Sequence, residues 1–181
     1  MISLSLGFET VEYPDDLNQE ITECLNNGIM IYASASNIGG NGSRTYPAKY
    51  PGVICVHSAT HEGNKSTFNP DPEGLDNFSF VGEFIRPTWE PFKREGSMSY
   101  KSGTSFATPV AVSVAAFMIA YIRKNMPNRQ WRIKPWSCIG MQIIFRLMKK
   151  RRDNYDWISP IRYMKETNPG KIKEDLFQEL C

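Results

Sequence analysis

The chain has 181 residues, of which 41% are hydrophobic, enough for one domain with a real core and too apolar for a disordered segment. Its net charge of +2 singles out no class of partner, but the charge is unevenly spread. Up to Ile122 there are 7 Lys/Arg against 13 Asp/Glu, and from Arg123 onward 14 against 6, so the sequence predicts two segments with different surfaces that meet at Arg123.

Ile2, Leu4 and Leu6 alternate with Ser3 and Ser5 and stop at Gly7, which predicts a strand meeting a turn. Pro14-Asp15-Asp16 opens a helix, with Leu17, Ile21, Cys24 and Leu25 at helical spacing and Asn26-Asn27-Gly28 closing it. Ile29 to Ala35 is a nearly unbroken apolar run, the pattern of a strand buried on both faces, and Val53-Ile54-Cys55-Val56 is a second. Ile38 to Ser43 is a loop by composition. From Glu62 to Gly96 the chain is rich in Pro, Gly, Asn and Asp, with Phe78-Ser79-Phe80-Val81 and Glu83-Phe84-Ile85 as short strand candidates. Val110 to Ile122 predicts a buried helix, being shorter than the ~20 apolar residues a membrane span needs. Met141 to Lys150 predicts an amphipathic helix. Strand, helix, strand, loop, strand in this order indicates an α/β fold with a mostly parallel sheet, whose ligands gather at the carboxyl ends of its strands.

Cys24, Cys55, Cys138 and Cys181 lie far apart and form no Cys-x-x-Cys pair, which argues against a zinc knuckle or a redox pair. Free thiols in a reducing compartment are the expected state. The first residues lack the basic and apolar regions of a secretory leader, so an intracellular location is favoured. No metal site or cofactor is expected.

Gly103-Thr104-Ser105-Phe106-Ala107-Thr108-Pro109 puts a hydroxyl at the mouth of the apolar helix, where backbone N–H groups lack intrahelical partners and the helix dipole is positive. Those features suit a nucleophile whose reaction develops an oxyanion, although Ser is also a common helix cap. Pro109 is expected in the first turn, where its missing N–H costs nothing. The segment resembles the Gly-Thr-Ser-x-Ala-x-Pro signature of the subtilisin-like serine peptidases (subtilases). Three further blocks follow that family's order: Ser5-Leu6-Gly7, Ala35-Ser36-Asn37, and Tyr46-Pro47-Ala48-Lys49-Tyr50-Pro51-Gly52-Val53-Ile54.

The resemblance implies that residues 1–122 are the carboxyl-terminal part of a three-layer peptidase domain, with 123–181 a mainly helical basic extension. It implies a serine endopeptidase in which Ser105 attacks the scissile carbonyl. The Ser105 N–H and the Asn37 side chain would hold the oxyanion. Ser5, Leu6, Gly7, Ala33, Ser34, Ala35 and Ser36 would line the site for a peptide or protein substrate. Ser36 stands where most subtilases have Gly.

The resemblance also implies an Asp and a His upstream of the nucleophile. His57 and His61 both follow Asn37 and lack the family's His-Gly-Thr context, so His57 is expected to be a surface or strand-end residue. The chain reads as a truncated or inactive form, its Asp and His belonging to a missing amino-terminal half. The alternatives are a non-catalytic peptide-binding fragment, with a groove built by strand addition, and a basic interaction module. Lys149-Lys150-Arg151-Arg152 is expected to be a solvated helix end rather than a nucleic-acid contact, since no nucleic-acid fold signature accompanies it.

Overall fold

The computed structural model describes residues 1–9, 15–86, 100–127 and 129–181. Pro14 and the 87–96 part of the Pro- and Gly-rich stretch lie outside the described residues. Among the described residues one six-stranded sheet runs in the order β1-β2-β3-β4-β6-β5. Its strands are β1 (Ile2–Leu4), β2 (Ile31–Ser34), β3 (Ile54–Ala59), β4 (Phe78–Val81), β5 (Lys149–Arg152) and β6 (Tyr155–Ile158). All neighbours pair in parallel except β5, which runs antiparallel to β6 at one edge. This is the mostly parallel α/β sheet expected.

Helix α1 (Asp15–Asn26) crosses from β1 to β2. It ends at Gly28, whose φ of 73° lets the Gly28 N–H reach the Leu25 carbonyl while the Ile29 N–H reaches that of Cys24. Ile21 of α1 packs with Ile31, Ala33 and Cys55 on one face of the sheet. The opposite face, presenting Tyr32, Ile54, Val56, Phe78 and Phe80, is covered by α2 (Thr104–Asn125), α3 (Cys138–Met148) and α5 (Pro169–Leu180). The result is three layers with the sheet in the middle. α2 is long and apolar enough to cross a membrane by length and composition, yet it packs on the sheet through Ala107, Ala111, Ala115 and Met118.

Residues beyond Arg123 take part in the same sheet and the same core. Phe145 of α3 meets the rings of Tyr32, Phe78 and Phe80 at 5.1 to 6.4 Å between centroids. The basic cluster is not a helix end. It forms strand β5, which turns through Asp153 and Asn154, both at positive φ, into the buried β6. A two-residue turn with two left-handed residues matches the twist of a hairpin. Two more helices, α4 (Pro160–Glu166) and α5, start behind Ser159 and Asn168 caps with Pro at the first helical position. Of the two strand candidates after Glu62, β4 forms, whereas Glu83-Phe84-Ile85 contributes only the single bridge Ile85 to Lys101.

Candidate active site

The carboxyl ends of β1 and β2 and the first turn of α2 converge on Ser105. Thr104 is the first residue of α2, with Gly103 before it as the cap, so Ser105 sits inside the first turn and is not the cap itself. Gly103 allows a close approach: a Cβ there would lie 3.3 Å from Nδ2 of Asn37.

Asn37 follows β2 and is bound to the helix start. Its Oδ1 accepts from the Thr104 N–H at 2.9 Å and from Thr104 Oγ1 at 3.1 Å. With its oxygen held by Thr104, the amide has its Nδ2 as the remaining donor, beside Gly103 at the start of α2, where the first N–H groups of a helix lack intrahelical partners. Thr104 Oγ1 also donates to the Ser36 carbonyl at 3.2 Å. Ser36 has φ of 142°, a conformation natural for Gly and costly for Ser.

Ser5 and Ser105 exchange hydrogen bonds. Ser5 Oγ donates to the Ser105 carbonyl at 2.8 Å, and Ser105 Oγ donates to the Ser5 carbonyl at 3.3 Å. Pro109 lies in the second turn of α2 rather than the first. Ser5, Leu6 and Gly7 are exposed, with the Leu6 carbonyl accepting from Ser34 Oγ at 3.3 Å. Gly7 must be Gly, since a Cβ would lie 2.1 Å from Oγ1 of Thr45. Ala33 and Ala35 are fully buried. Because β2 is paired on both edges, by β1 and by β3, Ala33 and Ser34 offer no free edge to an added strand. Only Ser36 and Asn37 of that run reach solvent.

Neither histidine approaches this cluster. His57 is not at the surface: it lies within β3 on the Cys55 face, opposite α2, with its ring 5.1 Å from that of Tyr155. Its Nδ1 faces the Phe78 carbonyl at 3.4 Å, which assigns the proton to that nitrogen and leaves Nε2 without a partner. Burial, reinforced by the charge of Arg44, pushes its pKa down to about 3, so the ring is neutral. His61 is exposed and pairs with Glu62 at 2.8 Å. The site brings the Ser105 hydroxyl, the Asn37 amide and the first turn of α2 together; a histidine or carboxylate hydrogen-bonded to Ser105 is not among the described residues.

A subtilase family model matches residues 1–136. The chain belongs to the subtilase family. It is 33% identical over 136 residues to the subtilisin-like protease het-Q2 of Podospora anserina, a match over 72% of this chain and 37% of that protein. It is 35% identical over 118 residues to thermitase of Thermoactinomyces vulgaris, covering 65% of this chain and 39% of the relative. The chain therefore spans well under half the length of these curated relatives. A mutant of the protease domain of PatA superposes with a TM-score of 0.71 at 19% identity, over 98% of this chain and 60% of that one. The prenylagaramide maturation protease PagA gives 0.68, over 92% and 62%. At that identity the likeness is one of fold, and it extends past the end of the family match into the β5–β6 hairpin.

Proposed function

We propose that Ser105 is the nucleophile of a subtilisin-type serine endopeptidase, acting once an Asp and a His are supplied by polypeptide outside this sequence. The observation that carries the proposal is the fixing of the Asn37 amide oxygen by Thr104, the residue before Ser105, which leaves Nδ2 as the donor end of that amide. Attack of Ser105 Oγ on a peptide carbonyl would place the oxyanion between that Nδ2 and the Ser105 N–H. The exposed Ser5-Leu6-Gly7 segment would pair with the substrate backbone. Ser36, carrying a side chain where Gly would leave room, would narrow the adjoining pocket toward smaller substrate side chains.

Two surfaces support a completing segment. The outer edge of β1 is unpaired among the described residues, and its strand carries no charge. The outward stripe of α2, Pro109, Ser113, Ala116, Phe117 and Ala120, is exposed although it is apolar or small, and helices apolar on all sides are normally covered. An apolar groove of about 430 Å³ runs between this stripe and α4, with Phe117 48% and Ile161 70% exposed.

Active-site labelling with a fluorophosphonate tests the proposal. The chain alone should stay unlabelled, and a fusion to the amino-terminal half of thermitase should label at Ser105. Asn37→Ala should slow that labelling by about 10²-fold. A soluble fusion that fails to label would overturn the reading. The alternative, a non-catalytic peptide-binding fragment, is favoured by the Ser105 hydroxyl being engaged with Ser5; it predicts peptide binding to the chain alone with no labelling in any form.

A further inference from the structure

Pro109 has no N–H, so the Ser105 carbonyl, four residues earlier in α2, lacks the donor that an ordinary helix would give it. That carbonyl is not left open: Ser5 Oγ donates to it at 2.8 Å. A helix interior interrupted by Pro generally kinks or loosens at the freed carbonyl, and here the freed carbonyl belongs to the proposed nucleophile.

Ser5 is well placed to serve as a fixed donor. It follows β1 directly, and β1 is registered on β2 through Ile2, Ser3 and Leu4. The next carbonyl along, that of Leu6, accepts from Ser34, and Gly7 packs against Thr45 with no room for a side chain. The start of α2 is meanwhile held by Asn37 on the Thr104 side. The peptide unit carrying Ser105 is thus clamped from two elements, and the clamp on its carbonyl is a single hydroxyl.

We propose that Ser5 is a positioning residue for Ser105, its hydroxyl replacing the helix hydrogen bond that Pro109 cannot supply. The proposal rests on Ser105 being the nucleophile and assigns to the Ser5 side chain a task separate from any pairing of its main chain with substrate. It also accounts for a Pro in the second turn of a helix whose first turn must be rigid. With residue 109 silent, the Ser105 carbonyl takes its hydrogen bond from the residue that follows the edge strand and not from the helix.

A double-mutant cycle on the full chain tests this. Ser5→Ala should lower the thermal midpoint by about 2–4 °C and shift the carbonyl ¹³C resonance of Ser105. In the Pro109→Ala background residue 109 supplies its own N–H to that carbonyl, so Ser5→Ala should cost less than half as much and leave the resonance nearly unmoved. Ser5→Thr, which keeps the hydroxyl, should restore the wild-type resonance. Equal losses in both backgrounds, or a resonance unmoved by Ser5→Ala, would overturn the proposal. Should Ser5→Ala not fold, failure of Ser5→Thr to hold the wild-type resonance would overturn it equally. The cycle is read at a carbonyl, so the thermitase fusion is judged apart from it: an unlabelled fusion with a coupled carbonyl removes the peptidase reading and leaves the hydrogen-bond exchange standing.

Discussion

The two edges of the sheet are built in opposite ways. At the far edge β5 carries Lys149, Lys150, Arg151 and Arg152, the kind of charged edge that discourages pairing with another chain. That edge is anchored from inside: Asp156, fully buried in β6, accepts from Arg151 at 3.0 Å and the Asn77 N–H at 3.3 Å and lies 3.5 Å from Lys149. At the near edge β1 has only Ile2, Ser3 and Leu4, with no charge, bulge or Pro to guard it, and the candidate site hangs from its end. The far edge is finished as a surface, and the near edge has the composition of an interior strand. This contrast sets an anchored edge at the far end against the candidate site at the near end, which mutations can test separately.

The largest effect should come from Phe145→Ala. The ring joins α3 to Tyr32, Phe78 and Phe80 and is wholly buried, so its loss should destabilise by about 3–5 kcal/mol in a denaturant melt. A cost near zero would mean that the elements after Arg123 are an appendage and not part of the core. Next is Asp156→Asn. Its cationic partners are 39% and 49% exposed, so water screens much of their loss, and a cost of about 2–3 kcal/mol is expected, mainly from disrupting the buried end of the pair. No measurable change would show the basic edge to be held by pairing in the backbone alone.

How much of this was legible depended on which force dominated each segment. β2 and β3 were plain because strands buried on both faces read as apolar runs, and α1 because its turn residues and apolar spacing agree. Ser105, Asn37 and Ser5 were found through their motif blocks, and the structure brings all three together. The hairpin was missed because four consecutive cations carry no period-two signal; its information sat in Asp153-Asn154, a two-residue turn that composition alone does not separate from a loop. His57 was misplaced because a polar residue inside a buried strand is paid for by neighbours distant in sequence, here the Phe78 carbonyl and the Tyr155 ring. The role of Pro109 required knowing that α2 begins at Thr104. Helix starts are among the features that local patterns locate least sharply.

His57, in the interior strand β3, also gives the fold a pH signature. Unfolded, the ring takes a proton below its ordinary value of about 6.5; folded, it resists until about 3. Between those values the unfolded chain binds more protons, so stability falls as pH drops through the window. Where the two states differ by a whole proton, around pH 5, the slope from this residue is about 1.4 kcal/mol per pH unit. His57→Phe keeps an aromatic ring beside Tyr155 and removes the titration. Its stability curve from about pH 6.5 to pH 4 should therefore be flatter than wild type by that slope. Parallel curves would show that His57 takes up its proton at the same pH folded and unfolded, so that burial does not hold the ring neutral.

The smallest effect should have the opposite sign and belong to the near end. Ser36 at φ of 142° carries a strain of about 1–3 kcal/mol for a residue with a Cβ, and the surrounding structure tolerates it because Thr104 and Thr45 hold the carbonyls of Ser36 and Ala35. Ser36→Gly relieves that strain and, against it, loosens the unfolded chain by about 0.4–1 kcal/mol. The balance should be a gain of about 1 kcal/mol, a rise of about 2–4 °C in the thermal midpoint. A substitution to Gly normally destabilises, so the sign alone is informative. A gain would show that the near end stores strain beside Asn37. A loss would mean that contacts of the Ser36 hydroxyl outweigh the strain, and the reading of the near end as a strained site would fall with it.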